Sequence, residues 1–179
     1  MTARDARADC DERFRKMAKG DGPRRMVIRP ATGDDADALT DLAHRAKAHW
    51  GYPASWMREW DPQLTILPGY LEAHDVWVAE RDGAIVGMCA LEDRGARWSL
   101  EHVWVEPAAH GGGIGRALVT RALDEARGRR PGVVELLADP NASGFYERLG
   151  ARHAADVAAP MPGARKRTLP LYEFDLDPT

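Results

Sequence analysis

Residues 106–118, EPAAHGGGIGRAL, place Gly111, Gly112 and Gly113 in a row, with Gly115 two positions on, directly ahead of a run patterned as helix. A helix N-terminus presents unpaired backbone N–H groups and a partial positive charge, and glycine lets an anion approach closer than any Cβ permits. The chemistry indicated is phosphate binding. Spacing rejects two nucleotide loops. A Walker A loop finds Arg116 and Ala117 where its second glycine and its lysine belong. A dinucleotide fingerprint finds Arg116 when started from Gly111 and Leu118 when started from Gly113. A flexible linker is the plain alternative, disfavoured because linkers rarely join a strand to a well-formed amphipathic helix.

Other reactive signatures are sparse. No pair of residues shows HExxH or CxxC spacing, so no metal site is expected. No GxSxG or paired cysteine-histidine signature supports a covalent acyl-enzyme.

The elements that must position the loop follow from periodicity. Residues 26–31, MVIRPA, read as a strand closed by proline, and Thr32 with Asp35 forms a variant capping box before a helix. Leu39, Leu42, Ala43, Ala46 and Trp50 fall on one face of that helix, with Trp50 expected in the core. One or two short helices, broken at Pro62 and Pro68, are expected next. Residues 75–80 and 84–92 flank Asp82-Gly83, the dipeptide suited to a tight hairpin turn, and residues 97–106 extend the pair to a meander of three strands. After the glycines come an amphipathic helix ending near Gly128 and a compact apolar strand, GVVELLAD, suited to a buried parallel position. A short helix stopped by Gly150 and a last strand over 167–176, with Leu169, Leu171 and Phe174 inward, complete an α+β chain. Its central sheet is mixed and mostly antiparallel, with helices on both faces.

In this setting the loop HGGGIG resembles the R/Q-x-x-G-x-G/A loop of the GNAT-type N-acetyltransferases, with Gly113 and Gly115 at the family glycines and His110 in place of the usual Arg or Gln. The resemblance extends to IRPATGDD, to DVWVAERDGAIVGMCAL and to NASGFYERLGA, and covers roughly residues 26–176. It implies that backbone amides of Gly111, Gly112, Gly113, Ile114, Gly115 and Arg116 hold the pyrophosphate of acetyl-CoA. It further implies that Val103, Trp104 and Val105 offer backbone partners to the pantetheine arm, and that Asn141, Ala142 and Phe145 line it. His110 belongs to the same cofactor set. Asp139 stands where many relatives have asparagine.

Acetyl transfer to an amine requires removal of an ammonium proton. An alkylamine with pKa about 10.4 is neutral only about once per thousand molecules at pH 7.4, which adds about 4 kcal/mol to the barrier. Glu101 and His102, on the strand entering the loop, are the candidate bases. The family implies a bulge there, so strand parity does not choose between them. Tyr146 matches the family tyrosine that protonates the leaving thiolate. His44, Lys47, His49, Trp50, Tyr52, Trp56 and Trp60 are the expected acceptor side. A surface carboxylate, an interior histidine and a packing tyrosine are the plain readings of Glu101, His102 and Tyr146.

The 179 residues carry net charge −3, 44% apolar and 30% charged residues, and only two cysteines, Cys10 and Cys89. These describe a single globular domain with neither export signal nor disulfide framework, hence a cytoplasmic protein. Residues 1–25 hold eight Lys/Arg against five Asp/Glu, so they are +3 and the remainder −6. This segment reads as a flexible charged extension, with a basic docking arm as its functional alternative, ahead of one domain over 26–179. The expected activity is acetyl-CoA-dependent N-acetyl transfer by direct attack in a ternary complex. The alternative is a non-catalytic acyl-CoA-binding or regulatory module. The expected partner is a small-molecule or peptide amine, with no nucleic acid and no membrane; a homodimer stays open.

Overall fold

A computed structural model describes residues 26–176; the charged extension over 1–25 lies outside the described residues. The elements are β1 (Met26–Pro30), α1 (Ala36–Ala48), α2 (Ala54–Leu64), α3 (Pro68–Ala73), β2 (Asp75–Arg81), β3 (Ala84–Asp93), β4 (Trp98–Val105), α4 (Ile114–Arg129), β5 (Val133–Leu137), α5 (Ser143–Arg148), β6 (Arg152–Ala158) and β7 (Thr168–Asp175). The seven strands form one sheet in the order β1-β2-β3-β4-β5-β7-β6, and only β4 and β5 run parallel.

Alternation along the central strands builds two cores. Trp77, Ala79, Cys89 and Leu91 face α4, packing on Ile114, Leu118, Val119 and Ala122. Val76, Val78, Met88 and Ala90 face the other way, onto Leu39 and Leu42 of α1 with Ile66 and Leu71. The expected helices on both faces are present. Asp82 and Gly83 both take positive φ, 54° and 78°, as the tight hairpin requires.

Three local expectations are corrected. Pro62 lies inside α2 rather than ending it. It stands in the last turn, where one lost backbone N–H costs little, and the helix is still closed by Thr65 N–H to Asp61 O and anchored by buried Leu64. On β7 the buried residues are Tyr172 and Phe174, while Leu169 and Leu171 take the opposite, half-buried face. Strand β6 was not foreseen. All seven of its residues are exposed, so it has no apolar alternation and is specified by pairing with β7.

The feature that positions the site is the parallel pair. β4 and β5 are joined only at Trp98 with Val134 and Ser99 with Glu135. Beyond Ser99 they separate, which frees the facing backbone groups of β4 from Leu100 onward. On its other edge β4 carries a bulge. His102 and Val103 stand between the pairs Ala90 with Glu101 and Met88 with Trp104, where β3 has only Cys89. His102 accommodates it at φ 51°.

Candidate active site

The opening between β4 and β5 is a cavity of about 760 Å³ that continues to the start of α4. The glycine turn forms one end. Gly113 is the N-cap of α4 in the left-handed conformation, φ 76°, and Gly111 has φ 77°. Each takes a backbone shape that side-chain-bearing residues rarely adopt. A Cβ on Gly115 would stand 3.1 Å from Phe145 Cζ, so this glycine admits the ring of α5 against the loop. A Cβ on Gly113 would meet nothing within 4 Å, leaving an open face over the helix start. Left-handed N-cap, free amides and open space are the features that a pyrophosphate needs.

Of the expected cofactor residues, Val103, Trp104, Val105, His110, Gly111, Gly113, Ile114, Gly115, Arg116, Asn141, Ala142 and Phe145 line the cavity. Gly112 does not; its Cα faces the Ala109 carbonyl and the Arg81 guanidinium, behind the turn. His110 has a structural part. Its Nε2 lies 3.2 Å from the Val105 carbonyl, a contact that places the proton on Nε2 and ties the turn to the end of β4.

Glu101, His102 and Tyr146 all line the same cavity. The strand lines the cavity with every residue from Leu100 to Val105 across the bulge, and the His102 ring packs edge-on against Tyr70 at 5.1 Å. Burial pushes the Glu101 carboxyl above its ordinary range, opposed by Ser99 Oγ, which donates to Oε1 at 2.7 Å. Burial holds His102 below its ordinary value, so it is neutral. The Trp104 indole N–H points at His102 Nδ1 at 3.4 Å, leaving the ring proton on Nε2. Tyr146 is buried, with its ring edge-on to Phe145 at 4.9 Å. Burial first, and then the neighbouring Cys89, Asp139 and Glu101, raise its pKa and keep it a proton-bearing phenol.

The acceptor set divides. Lys47, Trp50 and Trp60 line the cavity, whereas His44, His49, Tyr52 and Trp56 do not. His44 pairs with Asp61 at 3.4 Å, and His49 packs edge-on against Trp50 and His110. Trp50 lies past the end of α1, is 37% exposed and stacks over His110, so it is a rim residue rather than core. Lys47 is buried and donates to Asp139 Oδ2 at 2.7 Å. Asp139 also accepts from Tyr52 Oη at 2.9 Å and from the Asn141 amide at 3.0 Å. Burial opposes ionisation of Asp139, but Lys47, Asn141 and Tyr52 outweigh it and hold the carboxyl below its usual range. Asp139 therefore orders the acceptor side instead of facing the ligand space alone.

Several lining residues were missed from sequence: Gln63, Leu100, Arg148, Arg167 and Leu169. Arg148 follows the YE of the late motif, and its position one turn along a short helix was the available signal. Arg167 had none, since only the β6–β7 turn brings it back across the sheet.

The acetyltransferase (GNAT) domain family matches residues 72–150, the segment from the end of α3 through α5. The chain is 34% identical over 111 residues to the L-methionine sulfoximine/L-methionine sulfone acetyltransferase of Salmonella typhimurium, covering 57% of this chain and 64% of that protein. It is 30% identical over 146 residues to the chloroplastic serotonin N-acetyltransferase 2 of Oryza sativa subsp. japonica, covering 79% and 68%. It thus spans about two thirds of the length of these relatives. The crystal structure of the PaiA N-acetyltransferase from Thermoplasma acidophilum in complex with coenzyme A superposes with TM-score 0.69 at 15% identity, covering 84% of this chain and 99% of that one. Split sheet, bulge, glycine turn and these likenesses together show that the chain belongs to the GNAT family of acetyltransferases.

Proposed function

We propose that this protein transfers the acetyl group of acetyl-CoA to a primary amine by direct attack in a ternary complex. The observation that carries the reading is that one cavity joins the separated edge of β4, the left-handed glycine turn of α4 and the side chains of Glu101 and Tyr146. The amides of Gly111 and of Gly113 to Arg116 hold the pyrophosphate, while the Gly112 N–H is spent on the Ala109 carbonyl within the turn, and the guanidinium groups of Arg116 and Arg148, which also line the cavity, add positive charge beside it. The β4 backbone at Val103 and Trp104, on the edge turned away from β3, receives the pantetheine arm and polarises the thioester carbonyl, while the Val105 carbonyl is held by His110. Acetyl-CoA supplies the activated acyl group.

Glu101 is the base. Its raised pKa brings it nearer the operating pH, while His102 presents a protonated Nε2 and has its Nδ1 lone pair facing Trp104. The N–C bond forms as the C–S bond breaks; Glu101 takes the amine proton and Tyr146 gives one to the departing thiolate. Tyr146→Phe tests the arrangement. Thiol release should fall about 10²-fold or more in kcat while calorimetric CoA affinity changes little. Unchanged turnover would remove Tyr146 from the mechanism, and no heat on titrating CoA into the wild-type protein would remove the transferase reading altogether.

A further inference from the structure

Two cations reach the acceptor end of the cavity, and they are not equivalent. Lys47 is neutralised by Asp139 at 2.7 Å. Arg167, which immediately precedes β7, has no carboxylate partner among the described residues. Its Nη1 donates to the Ala159 carbonyl at 3.2 Å. Its guanidinium lies 5.4 Å from the Trp60 ring and 5.6 Å from the Trp56 ring, and it is partly buried. A guanidinium carries five N–H donors, and packing against aromatic rings leaves its edges available.

The side chain is held in place rather than left to solvent. Trp56 Nε1 donates to the Pro162 carbonyl at 2.8 Å, which fastens the β6–β7 turn to α2. Ala159 N–H donates to Arg167 O at 2.9 Å, closing the base of that turn. Arg167 is close enough that its charge acts on both Lys47 and Tyr52. The Lys47, Asp139 and Arg167 group therefore leaves one net positive charge in a partly buried space, beside Leu64, Leu169 and Trp60 of the cavity wall. A partly buried guanidinium whose bonds go to a neutral carbonyl and to ring faces keeps N–H donors and an unbalanced charge that a ligand anion can meet.

We propose that the acceptor amine also bears a carboxylate, that Arg167 receives it, and that the acceptor is of the α-amino acid class with an apolar side chain. The proposal rests on the transferase reading and adds to it the residue that selects the substrate. A planar fork matches a carboxylate through two parallel N–H···O bonds, and Leu64, Leu169 and Trp60 suit an apolar body. Glu101 and Arg167 then divide the acceptor, the carboxylate of one facing its amine and the cation of the other facing its acid.

The experiment uses the full chain and compares acceptors that differ only at the acid: L-phenylalanine, its methyl ester and phenethylamine, and L-leucine with isoamylamine. Initial rates of thiol release with acetyl-CoA are measured beside calorimetric titration of each acceptor into CoA-loaded protein. The acid-bearing members should exceed the others in kcat/KM by about tenfold or more, mainly through KM. Arg167→Gln should reduce that ratio toward one, and Arg167→Lys should retain part of it, with CoA affinity serving as the check on folding. Equal or better use of the decarboxylated amines, or a ratio that Arg167→Gln leaves intact, overturns the proposal while the transferase reading stands. Absence of turnover and of acceptor heat across the whole panel, in protein that binds CoA, overturns it as well. Failure to bind CoA is the separate result that ends the transferase reading.

Discussion

Glu101 is under two opposed demands. A carboxylate that must take a proton near neutral pH benefits from burial, yet burial of a charge works against the fold. The sign follows from the raised pKa. The folded state binds the proton more tightly than the unfolded chain, so stability is greatest below the unfolded value and declines as pH rises through the folded one. Glu101→Gln should accordingly raise Tm at pH 7, with the difference shrinking below about pH 4. The same variant should lower kcat/KM by about 10²- to 10⁴-fold and lose the ascending limb of the pH profile, which wild type shows as the carboxyl ionises. Thermal melts across pH and rate profiles on the two proteins check both halves. An ascending limb that persists in Glu101→Gln assigns the base elsewhere. At this scale the types of Tyr146 and Glu101 were legible because each stands inside a short recognisable segment. Arg167 was not, because the rings it packs on, Trp56 and Trp60, are distant in sequence and local pattern carries no trace of them.

At the scale of elements, the glycine turn and the helix behind it were readable from spacing alone, because a positive φ at a strand-to-helix junction leaves a compositional mark. Pro62 and β6 show where such marks fail. A proline in a last helical turn looks like a break in sequence but is tolerated in the fold, and an edge strand exposed along its whole length gives no period to detect. The turn itself makes a direct prediction. Gly113 holds φ 76° with nothing near its missing Cβ, so a substitution there strains the backbone without clashing. Gly113→Val should cost about 1–3 kcal/mol of stability. It should also weaken CoA binding about 10²-fold or more, since the Cγ atoms would occupy the open face that a phosphate approaches. Calorimetry with CoA, read beside far-ultraviolet circular dichroism, separates the two effects. Normal CoA affinity in that variant would contradict the role given to the turn.

For the molecule as a whole, the separation of β4 from β5 divides the sheet into a four-stranded and a three-stranded part joined by two residue pairs at one end. That end is reinforced by Trp98, Val134 and Phe174 in the shared core and by Arg97, which reaches Glu135 and Glu173. At the open end no ladder is available, and Lys47 of α1 reaches across to Asp139 beyond β5 instead. The lysine and the aspartate side chains are 11% and 10% exposed, so this is a buried pair whose value depends on both members. Asp139→Asn leaves an ammonium buried without its counter-charge and should cost about 3–5 kcal/mol. Lys47→Met should cost less, because Asp139 keeps Tyr52 and Asn141. The double variant should be more stable than Asp139→Asn alone, since the stranded charge is gone. The sign with pH is fixed by the depressed Asp139 pKa: the contribution is complete above the unfolded value near 3.9 and is lost as pH falls through the folded one. Denaturant unfolding of the four proteins at pH 7 measures the coupling, and CoA titration reports whether the cavity depends on it. Additive losses would mean that the two halves are held by the closed end alone, and that the open end of the cavity keeps its width without this tie.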